Sequence, residues 1–316
     1  KDRRCTTLKI FLDSKKHIQI QRLEPIFNQS GSIISRDPKN CDVQLSLVYL
    51  RHKTKLPITT RLDGIYYDLA IPYRGKNKPI SKAHSLSSGI IYQSKSCMIM
   101  CEKFLSPRRT KNYDIVYNGI DPNWAGSFIE HEGINIVTSA KWRRFKRLKE
   151  IIDLFLGFQK TVPNSKLHIL GRLHENVPIK HPNIIYYGMV DFKKMSEIYR
   201  TGDMFIHLAK NDACPKTVSE ALGVGMPVIT TEACGGATEM ASMTDGCVIC
   251  KGDKITIEPD YVYRDEWNIL TDVLKKRILK GMIQIANDKR RIILPEELYI
   301  ETTAKKYLQV MENCIR

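Results

Sequence analysis

Phe205-Ile-His-Leu-Ala-Lys-Asn-Asp212-Ala-Cys-Pro215-Lys-Thr-Val-Ser-Glu220-Ala-Leu-Gly-Val-Gly225-Met-Pro227-Val-Ile-Thr230 is the stretch on which the fold turns. An apolar strand runs into a polar loop, and Pro215 stands where a helix would take its first turn, a place that suits a residue without an N–H. The backbone N–H groups of Lys216, Thr217 and Val218 are expected free at that helix start. With the helix dipole they make an anion site. Asp212 precedes the helix and Glu220 lies about one turn inside it. A carboxylate accepts hydrogen bonds from two vicinal hydroxyls, so a diphosphate flanked by two such acceptors has the shape of a nucleotide sugar. The plainer alternative is that Asp212 is an N-cap and that Glu220 only answers the dipole.

Working outward, strands alternate with helices on both sides. Leu8–Leu12, Val43–Val48, the segment around Ile58, Gly89–Tyr92 and Tyr113–Tyr117 read as strands, and Ser94–Phe104 has helical spacing. Asn118-Gly-Ile-Asp-Pro-Asn123 is a cluster of turn formers that marks a boundary. The alternation then restarts. Strands are expected at Ile134–Val137, Lys166–Leu170, Ile184–Tyr187, Met204–Leu208 and Pro227–Thr230. Helices are expected at Leu148–Gln159, Lys193–Arg200, Thr217–Gly223, Glu266–Asp288 and Pro295–Cys314. This order predicts an α/β protein with two doubly wound, Rossmann-like domains of parallel sheet facing a cleft. The expected boundaries are 1–121, 122–294 and a closing helix at 295–316 packing back across the junction. Ligands of such sheets bind beyond the carboxyl ends of the strands.

The chain has 316 residues, 42% hydrophobic and 27% charged, with a formal net charge of +16. That size supports two cores. The charge favours anionic partners: nucleic acid, an acidic membrane surface or phosphorylated small molecules. No run approaches the roughly 18–20 apolar residues that span a bilayer. Lys1-Asp-Arg-Arg4 does not open a signal-peptide core, although the chain starts without Met. Nine scattered cysteines read as reduced thiols. Cys247-Val-Ile-Cys250 has no second pair at zinc-ligand spacing and reads as strand. The expectation is a cytoplasmic protein, with peripheral membrane contact as one reading, and with no cofactor.

The whole string resembles the signature of the retaining glycosyltransferase family 4: an acidic residue, seven others and a Glu, at the start of a helix that ends in a Gly-x-Pro-Val turn. Here these are Asp212, Glu220 and Gly225-Met-Pro227-Val228. Gly235-Gly236-Ala-Thr-Glu239 resembles the family's Gly-Gly-x-x-Glu loop. Tyr117-Asn-Gly-Ile-Asp121 resembles its interdomain linker. Tyr186-Tyr-Gly188-Met189-Val190 resembles the strand exit that meets the nucleotide base, and Lys305-Lys-Tyr307-Leu resembles its closing helix. The resemblance covers roughly 113–312. It implies the GT-B fold and transfer of a hexosyl unit from a UDP- or GDP-sugar to a glycan, glycoprotein or glycolipid hydroxyl. It further implies retention of configuration, no divalent metal and no nucleic-acid partner. The implied donor residues are Asp212, Glu220, Lys216, Thr217, Val218, Ser139, Gly171, Met189, Val190 and Gly236.

In this family an Arg and a Lys after the first strand of the second domain hold the diphosphate. Lys146 matches that Lys. Ser139-Ala140 replaces the usual Gly-Arg, so the Arg role passes to Arg143 or Arg144. Cations there stabilise the charge gained by the departing nucleoside diphosphate. Basic residues are disfavoured before a helix start, so Lys141, Arg143, Arg144, Lys146 and Arg147 call for a reason. In the first domain Thr60-Arg61-Leu-Asp63-Gly64-Ile-Tyr-Tyr67-Asp68 places Arg61 and Asp63 at a strand end, where Asp63 suits the acceptor or the reacting sugar, or simply caps a turn. Leu12-Asp13-Ser14-Lys15-Lys16 replaces the family's Gly-rich loop, and Gln93-Ser94 resembles its strand-end pair. The rival readings are a nucleotide-sugar epimerase or sugar phosphorylase on the same fold, and a basic binder of nucleic acid or membrane on a non-catalytic scaffold.

Overall fold

The computed structural model describes residues 7–14, 17–66, 72–173, 179–253 and 268–316. Lys1–Arg4, Lys15, Lys16, Tyr67, Asp68 and Glu266, where a helix was expected to start, lie outside these residues. The chain forms two compact units, 1–119 with 296–316, and 120–295. No helix of the described residues is long and apolar enough to cross a membrane.

The first unit contains the strands β1 (Lys9–Asp13), β2 (Ile33–Ser35), β3 (Val43–Leu47), β4 (Ile58–Leu62), β5 (Gly89–Tyr92) and β6 (Tyr113–Ile115). They form one parallel sheet in the order β2-β1-β3-β4-β5-β6. Its helices are α1 (Ile18–Gln29), α2 (Tyr73–Leu86) and α3 (Lys95–Phe104). The apolar rows of β1 and β3 (Ile10, Leu12, Val43, Leu45, Leu47) pack with Ile20, Leu23 and Phe27 of α1. Spacings of three and four place those α1 residues on one face.

Neither α1 nor α2 was expected, because Pro25 and Pro79 lie inside them, and proline ordinarily ends a helix. Both prolines sit on the exposed side. α1 is anchored at its start by the His17 ring, whose Nδ1 accepts from Gln19 N–H at 3.2 Å. The three-residue β2 at the sheet edge was also missed, being too short to show a period.

The second unit contains β7 (Ile134–Ser139), β8 (Ser165–Leu170), β9 (Ile184–Gly188), β10 (Met204–His207), β11 (Val228–Thr231) and β12 (Val248–Cys250). Their parallel order is β12-β11-β10-β7-β8-β9. The helices are α4 (Leu148–Gln159), α5 (Phe192–Arg200), α6 (Lys216–Gly223), α7 (Gly236–Ala241) and α8 (Asp272–Asp288). α4 buries Leu148, Ile151, Ile152, Phe155 and Phe158 against Ile136, Leu167 and Ile278 in one core. Gly235-Gly236, expected as loop, opens the short helix α7. The Cys247–Cys250 segment ends in β12, and burial pushes both thiols up to about 11.

The last helix, α9 (Ile300–Ile315), belongs to the first unit, where Ala304, Tyr307, Leu308 and Met311 join its core. Gly119 is the contact that lets it close. A Cβ there would stand 2.3 Å from Thr303 Oγ1 and 2.9 Å from both Ile300 Cα and the Tyr299 carbonyl. Two of these atoms are backbone, so the clash cannot be relieved by a rotamer change. Gly119→Ala is therefore expected to destabilise the first unit by about 1–3 kcal/mol, read as a lowered melting temperature. An unchanged transition would show that α9 docks without this approach.

Candidate active site

In the second sheet the chain runs from β7 outward to β9, then returns to lay β10 on the other side of β7. The strand order therefore reverses between β7 and β10, and the crevice at such a reversal is where doubly wound sheets take their ligands. Ser139 ends β7 and is buried, while Asp212 follows β10. Of the residues singled out in this unit by the sequence, Lys146 and Asp212 meet at this reversal.

The loop after β7 crosses above the sheet through Lys141 and Trp142, and a single 3₁₀ turn, Arg144–Lys146, precedes α4. Trp142 donates its indole N–H to the Leu170 carbonyl at 2.9 Å. Phe145 is buried, and its carbonyl accepts from Lys210 N–H at 3.1 Å, joining the loop after β7 to the loop after β10. The cations then separate by role. Arg147 takes a left-handed conformation and turns its guanidinium inward, with only 1% of the residue exposed. It holds Asp253 through two bonds of 2.6 and 3.1 Å and donates to the carbonyls of Asn268 and Leu208. Asp253 also accepts from Thr231 at 2.6 Å and lies 3.6 Å from the buried Lys210 ammonium. Lys141, Arg143 and Arg144 face solvent. Lys146 pairs with Asp212. No local pattern marks Arg147 as an internal anchor, since its acceptor Asp253 lies more than a hundred residues away.

Asp212 is held on both sides. Asn211 adopts φ 50°, and its N–H donates to the Ala233 carbonyl at 3.0 Å. The Asp212 carbonyl accepts from Gly236 N–H at 2.8 Å. This approach requires glycine, because a Cβ on Gly236 would meet the Ala213 carbonyl oxygen at 2.0 Å. The Gly-Gly pair thus seats α7 directly against the Asp212 loop. Lys146 Nζ binds Asp212 Oδ2, and His207 Nε2 lies 3.3 Å from the same oxygen, outside hydrogen-bond alignment. Oδ1 takes part in neither contact. Burial opposes the charge on Asp212, but the Lys146 ammonium beside it holds its carboxyl far below the ordinary range. Burial lowers His207 in turn, with Asp212 pulling the other way. The result is a fixed Lys⁺–Asp⁻ pair beside a neutral imidazole at neutral pH.

α6 begins at Lys216 with Pro215 as its N-cap, one place earlier than expected, and without a side-chain cap. Val218 N–H donates to the Pro215 carbonyl at 3.1 Å, which corrects the expectation that it is free. The amides of Lys216 and Thr217 precede that bond. Glu220 is buried on α6, and its own carbonyl accepts from the Trp124 indole at 3.0 Å. Burial and then the Glu220 charge push the buried Tyr199 phenol up, with the Ser139 hydroxyl working the other way. Ser139, Tyr199 and Glu220 thus share one environment, and Tyr199 was missed because α5 carries no motif. Gly171 takes φ 101°, donates to the Gly188 carbonyl at 2.7 Å and lies against the Ala140 carbonyl. Met189 and Val190 follow β9, with Met189 exposed. Among the described residues no three His, Cys, Asp or Glu side chains cluster as metal ligands.

In the first unit the strand ends carry a second network. Arg61 binds Asp63 and also donates to Asn118 Oδ1 at 3.0 Å. Asn118 donates to Gln93 Oε1 at 3.0 Å, and Gln93 donates back to Asp63. Arg61, Gln93 and Asn118 are buried and Asp63 is exposed. Asp63 is thus more than a turn cap, being the open end of a four-residue network.

Residues 125–258 match the family described as Glycosyl transferases group 1. The matched residues lie within the second unit. No curated protein matches by sequence. Among solved structures, a glycosyltransferase from Rickettsia africae superposes with a TM-score of 0.61 at 12% identity, over 98% of this chain and 99% of that one. Alr3699/HepE from Anabaena, in complex with UDP and glucose, gives 0.58 at 13%, over 96% and 99%. WaaG, described as a glycosyltransferase of lipopolysaccharide biosynthesis, gives 0.58 at 11%, over 96% and 99%. These likenesses show the GT-B fold.

Two outcomes follow from the ion pairs of the second unit. The folded pKa of Asp212 lies below its unfolded value of about 3.9, so its ionised form stabilises the fold above that pH. That contribution is lost as pH falls towards the folded value. Denaturant titrations between pH 7 and pH 3 should show wild type losing more stability than Asp212→Asn; parallel curves would refute the pairing. Arg147→Ala leaves Asp253 buried without its bidentate partner and should cost about 3–5 kcal/mol, measured the same way at pH 7.

Proposed function

We propose that the chain transfers a hexosyl unit from a nucleotide diphosphate sugar to an acceptor hydroxyl, with retention of configuration and without a divalent metal. The observation that carries this reading is the Lys146–Asp212 pair at the β7/β10 reversal, immediately before the start of α6. A fixed cation beside a helix start suits a diphosphate. When the glycosidic bond breaks, charge builds on the departing diphosphate, and a cation already in place stabilises it without reorganising.

Lys146, with Arg143 or Arg144 reaching in from solvent and the Lys216–Thr217 amides, would hold the diphosphate. Asp212 Oδ1, outside the pair with Lys146, would accept from hydroxyls of the sugar. Glu220 would accept from the ribose diol, with Ser139 and Tyr199 beside it. The exit of β9 at Met189–Val190 and Gly171 would meet the base, UDP or GDP. Asp63 would face the acceptor or reacting sugar. The acceptor belongs to the glycan, glycoprotein or glycolipid class. The basic surface suits peripheral contact with an anionic membrane, on the cytoplasmic side. The scheme differs from the paired carboxylates of glycoside hydrolysis, because the buried carboxylate nearest the cation is neutralised by it.

Titration calorimetry with UDP and GDP tests the donor half. Wild type should bind one of them at physiological salt. Glu220→Ala and Lys146→Ala should each weaken binding by about ten- to a hundredfold, equivalent to about 1.4–2.7 kcal/mol. Affinity that both variants keep, and that tracks only ionic strength, would favour a general polyanion binder. Turnover across a panel of nucleotide sugars, with the product anomer assigned by NMR, tests the chemistry. Release of diphosphate with inversion would remove the retaining mechanism.

A further inference from the structure

The first sheet has its own reversal. From β1 the chain moves outward to β2, then returns to lay β3 on the other side of β1. The crevice lies beyond the carboxyl ends of β1 and β3, the place where ligands of such sheets bind. Asp13 ends β1 there and is wholly buried. Its Oδ2 accepts from Gln44 Nε2 at 2.7 Å, Ser46 Oγ at 3.1 Å and Arg51 N–H at 2.8 Å. Gln44 and Ser46 are wholly buried on β3. His52 N–H reaches Asp13 Oδ1 at 3.2 Å, and the His52 ring places Nδ1 2.7 Å from the same oxygen. Burial opposes the Asp13 charge, but these bonds keep its carboxyl below the ordinary range.

The loop that carries His52 is shaped to bring it there. Val48 takes φ 69° at the end of β3, a left-handed conformation that a β-branched residue rarely adopts and that is costly to hold. Its N–H is fixed on the Arg61 carbonyl at 2.8 Å. Gln44 Nε2 also donates to the His52 carbonyl at 3.2 Å, and Thr54 donates to Gln44 Oε1 at 2.6 Å. The ring packs edge-on against Phe11 at 5.8 Å. Nevertheless 66% of the His52 side chain is exposed. A surface imidazole is thus fixed by a buried carboxylate. With Nδ1–H donated to Asp13, Nε2 is left as an acceptor turned from the carboxylate.

We propose that His52, fixed by Asp13 at the β1/β3 reversal, accepts a hydrogen bond from a sugar or polyol hydroxyl of the acceptor substrate, His52 being the contact and Asp13 its positioning residue. The proposal rests on the glycosyltransferase reading above and assigns to this chain's first unit a group that no sequence motif marks. Capping of the 49–52 loop would need only the two backbone N–H bonds to Asp13. The ring bond is additional to them, and it fixes the tautomer that leaves Nε2 able to accept.

The test uses full-length protein with ¹⁵N-labelled histidine, saturated with UDP, and octyl glucoside, galactoside, mannoside and N-acetylglucosaminide as probes. His52 should show the Nδ1–H tautomer, and at least one probe should shift its Nε2 resonance. His52→Ala should weaken that probe's binding, or raise its KM where it is turned over, by about tenfold, the value of one hydrogen bond. His52→Gln should recover part of this, and UDP affinity should stay unchanged in both. Asp13→Asn should lose the tautomer preference. An unshifted Nε2 with every probe in UDP-bound protein, or equal loss of UDP and glycoside affinity in His52→Ala, would overturn the proposal. Absence of UDP binding in wild type is a separate signal that strikes the donor reading.

Discussion

The second unit depends on keeping a carboxylate charged in a place from which most water is excluded. Burial pushes the Asp212 carboxyl up, and the Lys146 ammonium pulls it far below the ordinary range. An isolated buried charge costs several kcal/mol, and a pair recovers this only if its geometry is fixed. The surrounding structure can be understood as the means of fixing it. Arg147, the residue after Lys146, is locked on Asp253, which sets the position of the 3₁₀ turn. On the other side, Gly236 and Ala233 clamp the backbone of Asn211 and Asp212. The two loops are tied to each other through Phe145 and Lys210. Five neighbouring cations therefore do three different things. One is internal mortar, one neutralises the site carboxylate, and the other three lie on the surface, where they cost little and can attract an anion.

The sheets show why the second half of the chain could be read and the first half only partly. In the second unit β7, β10 and β11 are buried along their whole length, and each carries a short apolar run (Ile136-Val137, Met204-Phe-Ile206, Val228-Ile229) that marks it as strand. The helix after β10 lies between a proline and a Gly-x-Pro turn, so its limits are written in punctuation. Leu148–Gln159 was placed correctly to the residue, because its burial follows helical spacing without interruption. In the first unit α1 and α2 each carry an internal proline on the exposed side, where the ring displaces water rather than core. A local rule reads that proline as a stop. Tertiary packing of Ile20, Leu23 and Phe27 overrides it.

The same distinction separates the site residues that were legible from those that were not. Asp212, Glu220 and Lys146 announce themselves by local spacing around a helix start. Arg147 with Asp253, and Asp13 with His52, join residues 106 and 39 positions apart, so no window of sequence contains either pair. Ser46 and Gln44 looked like ordinary strand residues, although buried polar side chains in a central strand must find partners. Their partner is Asp13 in each case. Gly236 was expected among the donor residues, and the close approach the structure displays there is to backbone at Ala213.

The two reversals solve one problem in opposite ways. Both put a carboxylate at or just after a strand end, at the point where the order of a parallel sheet reverses. At β7/β10 the carboxylate is balanced by a full cation, which leaves a site organised around charge and suited to a phosphorylated group. At β1/β3 the carboxylate is balanced by neutral donors and one imidazole. No lysine or arginine side chain is paired with Asp13 among the described residues, the Arg51 contact being made by its backbone. A carboxylate met by hydrogen-bond donors rather than by a paired cation suits a site that recognises hydroxyls. The chemistry a reversal can host is therefore decided by what neutralises its aspartate, and that choice lies in the loop after the neighbouring strand rather than in the sheet.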